Sequence, residues 1–135
     1  MNVTYQLSPR QVEELHALYQ NESWSAGRSL EETARCVSGS SICIGLVDAN
    51  NSLKAFTRVI TDYTFKALIF DVIVAPDQRD QGLGDRLIQL VKEHQRLQAV
   101  KHFELYCLPA LEPFYERHGF STEVSGMRLM RRITG

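Results

Sequence analysis

Two short stretches hold residues whose types and spacing could do chemistry. The first runs Val72-Ile73-Val74-Ala75-Pro76, then Arg79-Asp80-Gln81-Gly82-Leu83-Gly84-Asp85, with Leu83, Leu87, Leu90 and Val91 falling on one helical face beyond it. The β-branched run suits a strand buried on both faces, and Pro76 ends it. A polar, glycine-containing turn follows, and then an amphipathic helix. A helix N-terminus presents unpaired backbone N–H groups and the positive end of the helix dipole, which together attract an anion. Gly82 and Gly84 carry no side chain that would hold a phosphate away from those amides. The local chemistry is a phosphate cradle at the end of a buried strand. Several folds use that device, and an ordinary strand–helix turn with two glycines is written in the same letters. The second stretch, Phe114-Tyr115-Glu116-Arg117-His118-Gly119-Phe120, reads as a short aromatic helix stopped at His118-Gly119.

The elements that must position these stretches can be read in order. Val3 and Tyr5 suit a short first strand. Ser8-Pro9-Arg10-Gln11 carries a cap, a first-turn proline and a capping-box partner, so a helix should run to about Gln20. The loop from Asn21 to Ser29 is polar and small apart from Trp24. Ser29-Leu30-Glu31-Glu32 repeats the capping-box pattern and starts a second helix ending near Gly39. Strands are expected at Ser41–Val47, Leu53–Ile60, Ala67–Val74 and Phe103–Cys107, a long helix from about Gly82 to His94, and a short one from Leu111 to Arg117. Phe120–Val124 and Met127–Met130 should close the chain as a strand pair. The sum is a mixed α/β sheet with helices packed on it.

Composition bounds the function. The 135 residues should form one domain, 1–135, large enough for a real core. Fifteen basic against sixteen acidic residues leave a net charge of −1, which disfavours nucleic-acid binding. No apolar run approaches the roughly 20 residues that cross a membrane, and the N-terminus lacks the pattern of a signal peptide. Three irregularly spaced cysteines, Cys36, Cys43 and Cys107, read as reduced, mostly buried thiols in a cytoplasmic protein. No Cys/His spacing suggests a metal site. The absence of Gly-Lys-[Ser/Thr] and of Gly-x-Gly-x-x-Gly weakens a nucleotide-phosphate enzyme.

Strand, proline, Arg79-x-x-Gly82-x-Gly84 and amphipathic helix, followed by Phe114-Tyr115-x-x-x-Gly119-Phe120, resemble the two hallmarks of the GNAT superfamily of N-acetyltransferases. The element order is similar to the family topology over essentially the full length. The resemblance implies a GNAT fold of about six to seven strands and about four helices, with the central strands splayed and the thioester in the gap. It implies acetyl-CoA as co-substrate and no metal. Backbone groups of Val72, Ile73 and Val74 would hold the pantetheine amides in the manner of an added strand. The amides of Asp80, Gln81, Gly82, Leu83, Gly84 and Asp85, with the Arg79 turn, would hold the pyrophosphate. Tyr115 would lie near the CoA sulfur and protonate the departing thiolate; the other reading is a packing aromatic with its hydroxyl paired nearby. Leu108 and Leu111 replace an asparagine and an alanine common in the family, and Pro109 and Pro113 stiffen the approach to this helix.

The resemblance implies a small-molecule or peptide amine as acceptor, which must lose a proton to attack. Asp71 interrupts the apolar run in the central strand, where burial would raise its pKa toward that of a useful base. Equally, it could be ion-paired to a neighbouring-strand cation such as Arg58. Asp62, Tyr63 and Glu104 are weaker candidates. Trp24 and Arg28 resemble the Trp-x-x-Gly-Arg of some small bacterial members and could frame the acceptor, with Arg28 pairing a carboxylate, or could cover the core and cap a neighbouring element. Homodimers are common in the family. The alternative to an enzyme is a non-catalytic acyl-CoA-binding sensor or regulatory module.

Overall fold

A computed structural model describes residues 1–135. Its elements are β1 (Asn2–Thr4), α1 (Pro9–Gln20), α2 (Leu30–Gly39), β2 (Ile42–Val47), β3 (Leu53–Thr61), β4 (Lys66–Val74), α3 (Leu83–Glu93), β5 (His102–Glu104) and α4 (Glu112–Glu116). They divide between two compact units, residues 1–105 and 106–135.

In the first unit the order β1-β2-β3-β4-β5 makes one sheet. The first three pairings are antiparallel and β4–β5 is parallel. β2 is buried along its whole length, as its unbroken apolar sequence requires. One face of the sheet packs on α1 through Leu15, Leu18, Tyr19, Cys43, Phe56 and Ile73. α3 packs across β2, β3 and β4 and buries Leu83, Leu87, Ile88 and Val91. Both expected capping boxes form. Ser8 accepts from the Gln11 N–H while the Gln11 side chain returns to the Ser8 N–H, and Ser29 and Glu32 do the same at α2. Gly45 is required by close approach: a Cβ there would come within 2.8 Å of Leu53 Cδ1 and 3.0 Å of Thr4 Cγ2.

β5 is shorter than expected, since its ladder spans only Lys66–Leu68 against His102–Glu104. From Ile69 onward no strand ladders on that edge of β4. The sheet therefore has five strands, not six or seven. In the second unit a 3₁₀ turn at Pro109–Leu111 leads into α4. The expected closing strands do not form at Phe120–Val124 and Met127–Met130. Gly119, Ser125 and Gly126 all take positive φ and turn the backbone, and no partner supplies the ladder that extended residues need.

Filling the tight space at Gly45 should be costly. Gly45→Val is expected to lower the unfolding free energy by about 1–3 kcal/mol, measured by urea denaturation followed by circular dichroism.

Candidate active site

The ladder between β3 and β4 is interrupted. Phe56 faces Ile73, but Arg58 faces Phe70, so Asp71 and Val72 share the single position opposite Thr57. Asp71 sits at φ 58°, a left-handed conformation that a short polar side chain tolerates better than a branched one. Thr57 Oγ1 pins the bulge by donating to the Phe70 carbonyl at 2.8 Å.

The bulge delivers the Asp71 carboxylate into a cluster of donors. Arg28 approaches in a fork, Nη1 to Oδ2 at 2.7 Å and Nη2 to Oδ1 at 3.3 Å. Arg58 Nε donates to Oδ2 at 2.7 Å and Tyr19 Oη to the same oxygen at 2.8 Å. The Asp71 side chain is only 6% exposed. Burial by itself would raise its pKa, but hydrogen bonds from Arg28 and Arg58, with their charges, outweigh that and hold it below the ordinary carboxylate value. Burial, then the neighbouring carboxylate, pushes the Tyr19 phenol upward, so it stays a donor.

This corrects the expectation that burial would lift Asp71 toward a useful base. Of the two readings of Asp71, the ion pair with Arg58 forms, and Arg28 joins it. A carboxylate held by three donors with a depressed pKa is a poor proton acceptor. The weaker candidates are also committed. Asp62 accepts backbone N–H bonds from Thr64, Phe65 and Lys66, Glu104 pairs with Lys66 Nζ at 2.9 Å, and Tyr63 lies under the Arg96 guanidinium.

Arg28 thus answers a carboxylate of the chain itself. Its guanidinium also lies 4.5 Å from the Tyr19 ring centroid and 5.4 Å from that of Trp24. Trp24 packs edge-on to Tyr19 and leaves half of itself exposed. Turns within the loop are fixed by Ser25 N–H to the Glu22 carbonyl, Arg28 N–H to the Ser25 carbonyl, and Ser25 Oγ to the Tyr19 carbonyl.

At the far end of β4, Ala75 N–H donates to the Lys54 carbonyl, so Ile73 also turns its backbone toward β3. By alternation Val72 and Val74 direct theirs to the edge that no strand ladders. Beyond the Pro76–Gln78 turn, Asp80 and Gly82 take φ of 63° and 76° and bring the chain to the α3 N-terminus. Gly82 is the N-cap and offers no capping side chain, and a Cβ built on it would meet nothing within 4 Å. An anion can therefore approach the first-turn amides. Arg79 Nη2 is held by Glu22 at 2.6 Å, a link across 57 positions that sequence spacing could not reveal.

In the second unit, Gly119 at φ 90° reverses the chain after α4. Phe120 N–H then donates to the Tyr115 carbonyl and the Phe120 ring packs edge-on to Tyr115. That contact is the physical reason for a glycine and a phenylalanine at those spacings. Burial, then Cys107 nearby, pushes the pKa of Tyr115 up to about 12. All three cysteines are free; only Cys43 is fully buried, and burial pushes its thiol up to about 11. No group of His, Cys, Asp and Glu residues could hold a metal, and no helix is long and apolar enough to cross a membrane.

A mixed five-stranded sheet with helices packed on it and a glycine-built helix N-terminus at the end of β4 defines the class of α/β fold, and comparison with known proteins gives the family. A family model described as an acetyltransferase (GNAT) domain matches residues 39–122, a span that covers part of both units. The chain belongs to the GNAT family of acetyltransferases. It is 32% identical over 120 residues to the uncharacterized N-acetyltransferase ycf52 of Pyropia yezoensis, covering 87% of this chain and 68% of that one. Across the first such relatives it spans about two thirds of their length. A crystal structure from Xanthomonas campestris pv. campestris, assigned to the same family, aligns over 98% of this chain and 92% of its own, with TM-score 0.84 and 30% identity. An aminoglycoside 6'-N-acetyltransferase complexed with coenzyme A shares the fold, with TM-score 0.65 and 18% identity over 78% of this chain and 61% of its own.

Asp71→Asn would leave two guanidiniums facing a neutral amide. It is expected to destabilise the protein by roughly 3–5 kcal/mol. The folded pKa of Asp71 lies below its unfolded value of about 3.9, so its contribution is complete above that pH and is lost as pH falls through the folded value. Denaturation at pH 7 and at successively lower pH should show wild type and Asp71→Asn converging only on the acid side.

Proposed function

We propose that the protein moves an acetyl group from acetyl-CoA to a primary amine by direct attack. The observation that carries this reading is the uncapped, glycine-built N-terminus of α3, set at the end of a strand that turns Val72 and Val74 toward an unladdered edge. Val72 and Val74 take the pantetheine amides as a neighbouring strand would. The amides from Asp80 to Asp85, with the Arg79 turn, take the pyrophosphate. Residues 1–135 act as one catalytic domain.

The acceptor, a small-molecule or peptide amine, is framed by the Trp24–Arg28 loop. Asp71 is committed to Arg28 and Arg58, so water rather than Asp71 takes the proton that the attacking amine must lose. Asp71 has a positioning role: it fixes Arg28 and through it the loop. Tyr115 gives its phenolic proton to the departing CoA thiolate. Its raised pKa keeps the phenol protonated at every pH where the amine is neutral enough to react, so the proton is there to give. Three free cysteines suit a reducing compartment such as the cytoplasm.

Gly82→Glu places a carboxylate where the phosphate would sit, on a backbone of φ 76° that a side chain rarely adopts. It should abolish CoA binding in isothermal titration calorimetry, and retained binding would remove the cradle assignment. With an amine identified by a thiol-release screen, Tyr115→Phe should lower kcat by roughly 10²–10⁴-fold while CoA binding persists. Acetyl-CoA binding with no turnover of any amine would instead mark a sensor module. The wild-type pH profile should rise with amine deprotonation and show no fall from loss of the Tyr115 proton until pH approaches about 12.

A further inference from the structure

We propose that Trp24 limits the length of the acyl chain that the protein accepts. This rests on the reading of Val72 to Asp85 as the cofactor track. With the phosphates at the α3 N-terminus, passing from Val74 back to Val72 moves along the pantetheine arm away from them, by about 3.3 Å per residue. The thioester therefore belongs at the Asp71 end.

That end is where the α1–α2 loop stands. Tyr19 donates to Asp71 at 2.8 Å, and the Trp24 ring centroid lies 6.2 Å from that of Tyr19. The loop is tied to β4 and the turn beyond it at two points. Arg28 grips Asp71 at the start of the track, and Glu22 accepts from Arg79 within it at 2.6 Å. Trp24 lies between these two ties in the chain, with the Arg28 guanidinium 5.4 Å from its ring centroid. Its backbone is held by the turns at Ser25, yet 50% of the residue is exposed. A large rigid apolar ring is thus presented to solvent from an otherwise anchored loop. Such a wall accepts a methyl group beside it and resists a longer chain, because neither the ring nor its loop can move aside without breaking the contacts to Tyr19, Asp71 or Arg79.

Binding tests this without knowledge of the acceptor. Dissociation constants of acetyl-, butyryl- and hexanoyl-CoA are measured by calorimetry for the wild-type chain, Trp24→Ala and Trp24→Phe, with thermal melts as folding controls. Wild type should bind acetyl-CoA at least about tenfold more tightly than hexanoyl-CoA. Trp24→Ala should bring the two within about threefold by tightening hexanoyl-CoA, with Trp24→Phe between. Trp24 is the only tryptophan in the chain, so its emission should also respond more to acetyl-CoA than to free CoA. A chain-length ratio near one in wild type, or one unchanged in Trp24→Ala, overturns the inference and leaves the cofactor track standing. Should Trp24→Ala fail to fold, an unchanged ratio in Trp24→Phe together with wild-type emission indifferent to the acetyl group overturns it. Failure of every CoA ester to bind wild type overturns the track and the inference together.

Discussion

A carboxylate that is 6% exposed cannot stay ionised inside a protein without cations to answer it. Asp71 meets that demand with one guanidinium from β3 and one from the loop between α1 and α2, and adds a phenol from α1. Three separate parts of the chain are thereby tied to one bulge in β4. The bulge could not be ironed out by a one-residue slip, because the carboxylate would swing to the opposite face, away from all three donors. The register of β4 against β3 and the position of the loop are thus two consequences of one electrostatic constraint.

The same constraint separates two roles that a sequence can confuse. A buried acid in a central strand is a natural candidate for a base, because burial alone raises its pKa. Two guanidiniums at 2.7 Å reverse the sign. What decides between base and anchor is the count of cations within reach, which depends on tertiary structure. Tyr115 shows the converse: burial and a neighbouring thiol act in the same direction, so the phenol keeps its proton.

Local chemistry was legible in the sequence and long-range chemistry was not. Both capping boxes form as spelled, because Ser8 with Gln11 and Ser29 with Glu32 complete their bonds within four residues. The turn expected before the long helix also forms, with Gly82 at a φ of 76°. The ion pair of Arg58 with Asp71 could be anticipated from adjacent strands. Arg28 with Asp71 and Glu22 with Arg79 join residues 43 and 57 positions apart, and no periodicity encodes such pairs. The closing strands were misread for a related reason. Apolar content at Phe120–Val124 and Met127–Met130 allows extended structure, but a strand exists only where a second backbone completes its ladder, and three positive-φ residues turn the chain instead.

These pairs also order the loop between α1 and α2. A nine-residue polar connection would ordinarily be mobile, and ordering it on binding would cost side-chain and backbone entropy at that moment. Here the ordering is done at folding. Arg28 is drawn down by a carboxylate that must be neutralised, and Glu22 is secured to the turn that carries the cradle. The Glu22–Arg79 pair is partly exposed and worth little alone, on the order of 0–1 kcal/mol. Its effect is geometric: together with the buried pair it fixes two points of the loop, and two fixed points determine where Trp24 must be. The stability of the buried pair is what lets a weak surface pair act as a locator.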